Sequence, residues 1–349
     1  MNGDEIVKRN FSIELLKLYF AISVALGHAH LGSTLPIISG GYAVLLFFVL
    51  SGYFLVNSFN SNKYPSAWHY SYARLKRIYP YYLFSFIVLF LYKNLQHTNN
   101  FCTTFKDFLT SLPEIFLLQN IGVFSGGINY PLWQLCTLIV VSHVLFALLI
   151  CNKEATLNVI CPLLSLSVFT YLSNAYGTGT PDSWGVECEF IYVPLVRAAG
   201  SISLGMFLNY PIKKMLKFLD SSTFSHLPLL MSVASIPLFV TFWLNRNNYT
   251  IVIPFSLILV CMFYSKGFFS KFFQKAIFSK LDKLSLAIYL NHAFIIHLFQ
   301  YHANIYSGLS SLATDLLYLA ILIMYSIIAL LAVDLLKAIT NRLLIYISK

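Results

Sequence analysis

Apolar runs recur from one end of the chain to the other, at the length and spacing of membrane spans. A spanning helix needs roughly 20 predominantly apolar residues. Ten segments approach that requirement, near 11–30, 40–57, 78–92, 131–151, 156–174, 191–211, 227–245, 250–265, 284–303 and 311–336. The third and eighth are short. The run FLTSLPEIFLLQNI at 108–121 is also apolar, but Pro113 and Glu114 interrupt it, so it reads as an interfacial or re-entrant helix. The pattern predicts an all-α polytopic membrane protein with about ten transmembrane helices, forming a single membrane domain over residues 1–349.

Composition agrees with the pattern. Of the 349 residues, 58% are hydrophobic and only 10% charged, where a soluble domain carries about a quarter charged residues. Mean hydropathy is +0.72. A disordered chain, a coiled coil and an ordinary soluble enzyme are excluded. The formal net charge of +10 reads as loop topology rather than nucleic-acid binding. If the N-terminus is cytoplasmic, only Lys93, Lys106 and Arg246 fall in outer loops and Lys17 and Arg197 fall inside spans. The other 18 of the 23 Lys and Arg residues face inward. This bias predicts that both termini are cytoplasmic. No signal peptide is expected, because no A-x-A-like site closes the first apolar run. The six cysteines form no C-x-x-C pair and read as packing residues. A bridge between Cys102 and Cys188, both in outer loops, is a minor alternative. The outer loops 93–130 and 175–190 suit either plain solvation or contact with a sugar.

Ionisable groups inside a span are costly and mark functional candidates. The first span carries Glu14, Lys17, His28 and His30. At 100° per residue Lys17 and His28 differ by about 20° and by about 16 Å of rise, so they share one face. Glu14 can pair with Lys17 at i,i+3. The stripe reads either as a functional track or as a structural ion pair with an interfacial histidine. Pairs of histidines are unpromising for metal: His28 and His30 diverge by about 160°, and His292 and His297 by about 140°, on a helix.

Six short elements, in order, resemble the membrane acyltransferase family known as acyltransferase-3. The first is Glu14 followed by Lys17 and, after ten intervening residues, His28. The second is Phe47-Phe48-Val49-Leu50-Ser51-Gly52-Tyr53. The third is Arg74-Leu75-Lys76-Arg77-Ile78-Tyr79-Pro80. The fourth is Pro131-Leu132-Trp133-Gln134-Leu135, the fifth Arg197 with Gly205, and the last Ser285-Leu286-Ala287-Ile288-Tyr289-Leu290-Asn291-His292. Where some members follow the Trp element with an acidic pair, this chain has Cys136 and Thr137. Some members carry a further C-terminal esterase-like domain. This chain reaches Lys349 soon after its last span, so the membrane domain is expected to act alone or with a separate partner.

The resemblance implies transfer of an acyl group, usually acetyl, from cytoplasmic acyl-CoA to a hydroxyl of an extracytoplasmic glycan, such as a surface polysaccharide or its lipid-linked precursor. Acetyl-CoA is then a co-substrate, and no tightly bound cofactor is expected. His28 becomes the catalytic imidazole, as a general base or as a covalent acyl carrier. Glu14 and Lys17 orient the donor or offset local charge. Arg74, Lys76 and Arg77 suit the CoA phosphates, although position alone favours ordinary anchoring on the positive side. His292 either assists proton transfer or is a hydrogen-bonded core histidine. Ser51, Tyr289, Trp133 and Arg197 are candidate substrate contacts. Ser51 can equally be structural, Trp133 an interfacial anchor, and Arg197 a paired or cavity-lining cation. Lipids, the acyl-CoA and the glycan are the expected partners, a homo-oligomer is allowed, and the resemblance favours a bacterial inner membrane. The rival readings are a permease or flippase for a glycan or lipid intermediate, and a non-catalytic assembly partner.

Overall fold

The computed structural model describes residues 12–29, 31, 35, 37–96, 101–119, 121, 126–176, 186–187, 191–221, 230, 233, 240, 251–264, 266, 272 and 280–347. Long helices dominate them: α1 (Ser12–Ala29), α2 (Gly40–Asn60), α3 (Ala67–Gln96), the short α4 (Phe101–Thr110) and α5 (Leu112–Ile115), and α6 (Trp133–Cys151). Then come α7 (Lys153–Tyr176), which includes a π turn at Thr156–Ile160, α8 (Val193–Ser221), α9 (Val252–Phe263), α10 (Leu281–Tyr301) and α11 (Ser311–Ile347). The described extended structure is a two-residue antiparallel bridge, Val186–Glu187 with Ile191–Tyr192.

Among the described residues, six helices are long and apolar enough to cross a membrane: α1, α2, α3, the Tyr130–Cys151 segment that contains α6, α7, and α11 over Ser311–Leu343. The helices α8 and α10 are as long but more polar, and α9 is a shorter apolar helix. Nine of the ten sequence segments thus coincide with helices. The expected span at 227–245 lies almost wholly outside the described residues, as does Cys188. Cys102 is an exposed free thiol. Three helices run well past their sequence segments. The α3 helix begins at Ala67 rather than near 78, α8 continues to Ser221 and α11 to Ile347. Hydropathy falls there, at WHYSYARLKR, IKKMLKFLDS and KAITNR, but nothing in those stretches breaks a helix.

Glycine sets the closest helix crossing. A Cβ on Gly52 of α2 would collide with the Ile202 carbonyl of α8, and one on Gly205 would collide with the Val49 carbonyl of α2. The backbones therefore touch where the two motifs meet, as small residues permit in membranes. Asn209 extends the seam, donating to the Tyr53 carbonyl at 2.9 Å and to Asn57 Oδ1 at 3.0 Å. Gly205→Ala is expected to lower stability by about 1–3 kcal/mol. Thermal unfolding in detergent checks this, and an unchanged midpoint would refute the tight crossing.

The run at 108–121 folds back along α3, as a re-entrant segment does. Tyr79 and Tyr82, in the middle third of α3, donate hydrogen bonds to the carbonyls of Ile115 (3.3 Å) and Glu114 (2.5 Å). α5 therefore lies alongside the middle of α3, not at its end. Backbone at that depth must be satisfied by protein, and these two phenols supply partners. Leu117, next to the tip, takes a left-handed φ of 59°.

Candidate active site

Two side chains from distant parts of the sequence meet at the centre. His28 Nδ1 lies 3.0 Å from His292 Nε2. The rings are nearly parallel, 7° apart, with centroids 5.2 Å apart. That separation is close to the N···N distance plus the two ring radii, so the imidazoles lie edge to edge in one plane, not face to face. His292 is fully buried and its Nδ1 lies 2.7 Å from the Tyr289 carbonyl oxygen.

The partners fix the tautomers. A carbonyl oxygen only accepts, so His292 Nδ1 carries the proton. In the neutral pair His292 Nε2 is then the acceptor, and His28 Nδ1–H donates to it. That leaves the lone pair of His28 on Nε2. The arrangement parallels a general base oriented by a hydrogen-bond acceptor behind it. Tyr130 packs edge-on against the His28 ring at 5.6 Å.

The same two helices are joined again one span-half away. Lys17 Nζ lies 3.0 Å from Glu14 Oε2 and 2.9 Å from Asp282 Oδ1. Eleven residues separate Lys17 from His28 on α1, and ten separate Asp282 from His292 on α10. Nearly equal spacing in the same chain direction makes α1 and α10 parallel neighbours in register, pinned at two levels about 15 Å apart. The last turn of α1 is thereby level with the middle of α10, about 14 Å short of the end of α10. Tyr318 of α11 closes a third side by donating to the Ala25 carbonyl at 3.2 Å.

The re-entrant segment shapes the roof. Glu114, fully buried, accepts from the backbone N–H of Ile128 (2.6 Å) and of Asn129 (2.7 Å). Gly127, at φ 132°, lets the chain wrap this carboxylate, because a Cβ there would strike Gln119 and Glu114. Asn129 donates to Ser85 Oγ and to the Leu290 carbonyl. Tyr289 donates to the Pro131 carbonyl at 2.5 Å. These bonds place Tyr130 on His28. Glu114→Ala is expected to cut activity at least tenfold by releasing that loop and leaving two buried N–H groups unpaired. Steady-state assay beside a melting curve separates this from global unfolding.

The other sequence candidates distribute as follows. Trp133 and Arg197, both buried, meet in a cation–π contact at 5.3 Å. Tyr289 spends its hydroxyl on the protein backbone, which makes it a positioning residue. Ser51 is half-buried on α2 beside the glycine crossing. The basic trio separates. Arg74 donates to the Tyr70 hydroxyl at 2.5 Å, Arg77 lies within electrostatic reach of Asp282, and Lys76 lines a cleft on the other side of α3. His30 and Arg9 lie outside the described residues. Cys136 and Thr137 are buried, and Thr137 bonds back to the Trp133 and Gln134 carbonyls of its own helix. Sequence reasoning missed Asp282, Glu114 as a functional group, Asn129 and Tyr130. The matched spacings, Lys17 to His28 and Asp282 to His292, were the available signal for Asp282.

This bundle, in which the half-buried His28 meets the buried His292 among the helices, defines an integral membrane protein with an enzyme-like centre. The sequence profile of the acyltransferase domain family Acyl_transf_3 matches residues 10–338. The chain belongs to the acyltransferase-3 family of membrane acyltransferases. No curated protein and no solved structure matches it.

Proposed function

We propose that the protein moves an acyl group, most simply acetyl, from cytoplasmic acyl-CoA to a hydroxyl of a glycan on the far side of a bacterial inner membrane. The observation that carries this reading is the in-plane His28–His292 pair, set about 15 Å along two parallel helices from the Lys17 ion cluster. Lys and Arg crowd the Lys17 end, which is taken as the cytoplasmic end. The CoA phosphates bind there, with Arg77 and Lys17 as cations. The thioester arm lies along the α1–α10 seam.

In the transfer, His28 Nε2 takes the proton from the acceptor hydroxyl as its oxygen attacks the thioester carbonyl. The imidazolium that forms keeps its Nδ1–H on His292 Nε2. The C–S bond then breaks, and the proton passes to the departing thiolate. The products are an ester and free CoA thiol. General-base action is preferred to a covalent acyl-histidine because His28 is held by an acceptor behind it, as an orienting partner holds a base.

The test uses protein in nanodiscs with radiolabelled acetyl-CoA and a crude lipid-linked glycan fraction. Label appearing in alkali-labile form on the glycan, with stoichiometric release of CoA thiol, is the expected result. Folded protein that consumes no thioester yet moves the glycan across a bilayer would replace this reading with a permease.

A further inference from the structure

The third motif serves two faces of α3. Arg77 lies within electrostatic reach of Asp282, whereas Lys76, about 100° away around the helix, lines a cleft of about 380 Å³ between α3 and the re-entrant tip. The walls are Tyr72, Leu75, Tyr79 and Pro80 on one side and Phe116 and Leu117 on the other. Among the described residues, Lys76 is the one charged side chain in the lining.

Three observations describe what fits. The cleft opens outward from the bundle: Phe116 is 66% exposed and Tyr72 53%. In a membrane protein such side chains face acyl chains. Trp68, one turn before Tyr72 on α3, is 68% exposed, and exposed Trp and Tyr mark the depth of lipid headgroups. Lys76 follows one turn later, where its stem can lie on apolar surface and its ammonium reach phosphate. The floor is built at Leu117, whose left-handed φ of 59° a branched side chain resists. That turn is held by Leu117 N–H on the Glu114 carbonyl and Leu118 N–H on the Pro113 carbonyl, both 2.9 Å. Such conformations persist where the surroundings impose them, often at ligand clamps.

We propose that this cleft binds an anionic phospholipid from the leaflet at the Lys/Arg-rich end, with an acyl chain along Tyr79, Pro80 and Phe116 and the phosphate on Lys76. A trough with one cation at its headgroup end is complementary to one negative phosphodiester. Phosphatidylcholine fills the trough equally well but carries its own compensating cation. This site is separate from the donor path at Arg77 and Lys17.

The test titrates detergent-solubilised protein with dioleoyl phosphatidylglycerol and dioleoyl phosphatidylcholine and reads retained lipid by native mass spectrometry. Wild type is expected to prefer phosphatidylglycerol by about fivefold, the effect of one basic residue at a membrane surface. Lys76→Gln should equalise the two lipids, Lys76→Arg should keep the preference, and Leu75→Trp, which fills the cleft, should lower retention of both. Thermal midpoints identify any variant that does not fold, and the Gln/Arg pair decides alone if Leu75→Trp is one of them. A Lys76→Gln protein that keeps the full preference overturns the proposal. So does displacement of phosphatidylglycerol by chainless sn-glycerol 3-phosphate at the same concentration, which would indicate a site for free phosphate.

Discussion

His28→Ala is expected to lower acyl transfer by about 10²–10⁴-fold, the range a positioned general base supplies, while acetyl-CoA binding stays within a few-fold of wild type. His28 Nδ1 is committed to His292 at 3.0 Å, so the lone pair proposed to act as base is on Nε2. Alanine removes that lone pair and leaves His292 and the Tyr289 carbonyl in place. His292→Ala should reduce the rate less and should also reshape the pH profile. Without an acceptor behind it, His28 loses its fixed tautomer and the imidazolium loses its stabilising partner. Single-turnover transfer in nanodiscs, with donor binding measured by calorimetry, checks both variants. A His28→Ala enzyme that retains wild-type turnover would end the base assignment.

Lys17→Met is expected to cost about 3 kcal/mol of stability and to abolish donor binding. Glu14 is nearly buried, with 7% of its side chain exposed, while Lys17 and Asp282 keep 22% and 21%. Removing the cation leaves two carboxylates facing each other in a membrane interior. Breaking a buried pair from one side costs about 3–5 kcal/mol because a charge is left uncompensated. The lower end applies, since two of the three groups retain some exposure. The neutral triple variant, Lys17→Met with Glu14→Gln and Asp282→Asn, should regain most of that stability and none of the donor binding. Comparing chemical unfolding with binding in these two proteins separates a structural from a functional role. Equal stability of Lys17→Met and wild type would refute the coupled cluster.

Much of this was readable in the chain. Apolar length located nine described helices to within a few residues at most ends, and Pro113 with Glu114 marked the break after which the chain folds back along α3. The Lys17–His28 stripe was visible because helical periodicity is a local property. What periodicity does not encode is which helix lies next to which. Lipid tails are as apolar as leucine, so hydropathy gives no partner information. The pairing of α1 with α10, and with it the roles of Asp282 and His292, had to come from the structure. Glu114 was seen only as an interruption, because its partners are backbone N–H groups of Ile128 and Asn129, which side-chain patterns do not record. The basic trio was read as one site because its members are adjacent in sequence. On a helix adjacency means divergence, and Arg77 and Lys76 serve different sides.

The parallel register of α1 and α10 amounts to a molecular ruler. With both ends of the seam pinned, the span from the Lys17 cluster to the imidazole pair is set by backbone rise and does not adapt to the donor. On the proposed mechanism, a thioester is delivered to His28 only if its carrier arm matches that length while its phosphates stay at the far end. Truncated donors such as acetyl N-acetylcysteamine are then expected to react poorly, having nothing to hold them in place. On that mechanism the length being measured is the arm of the carrier and not the acyl group it bears.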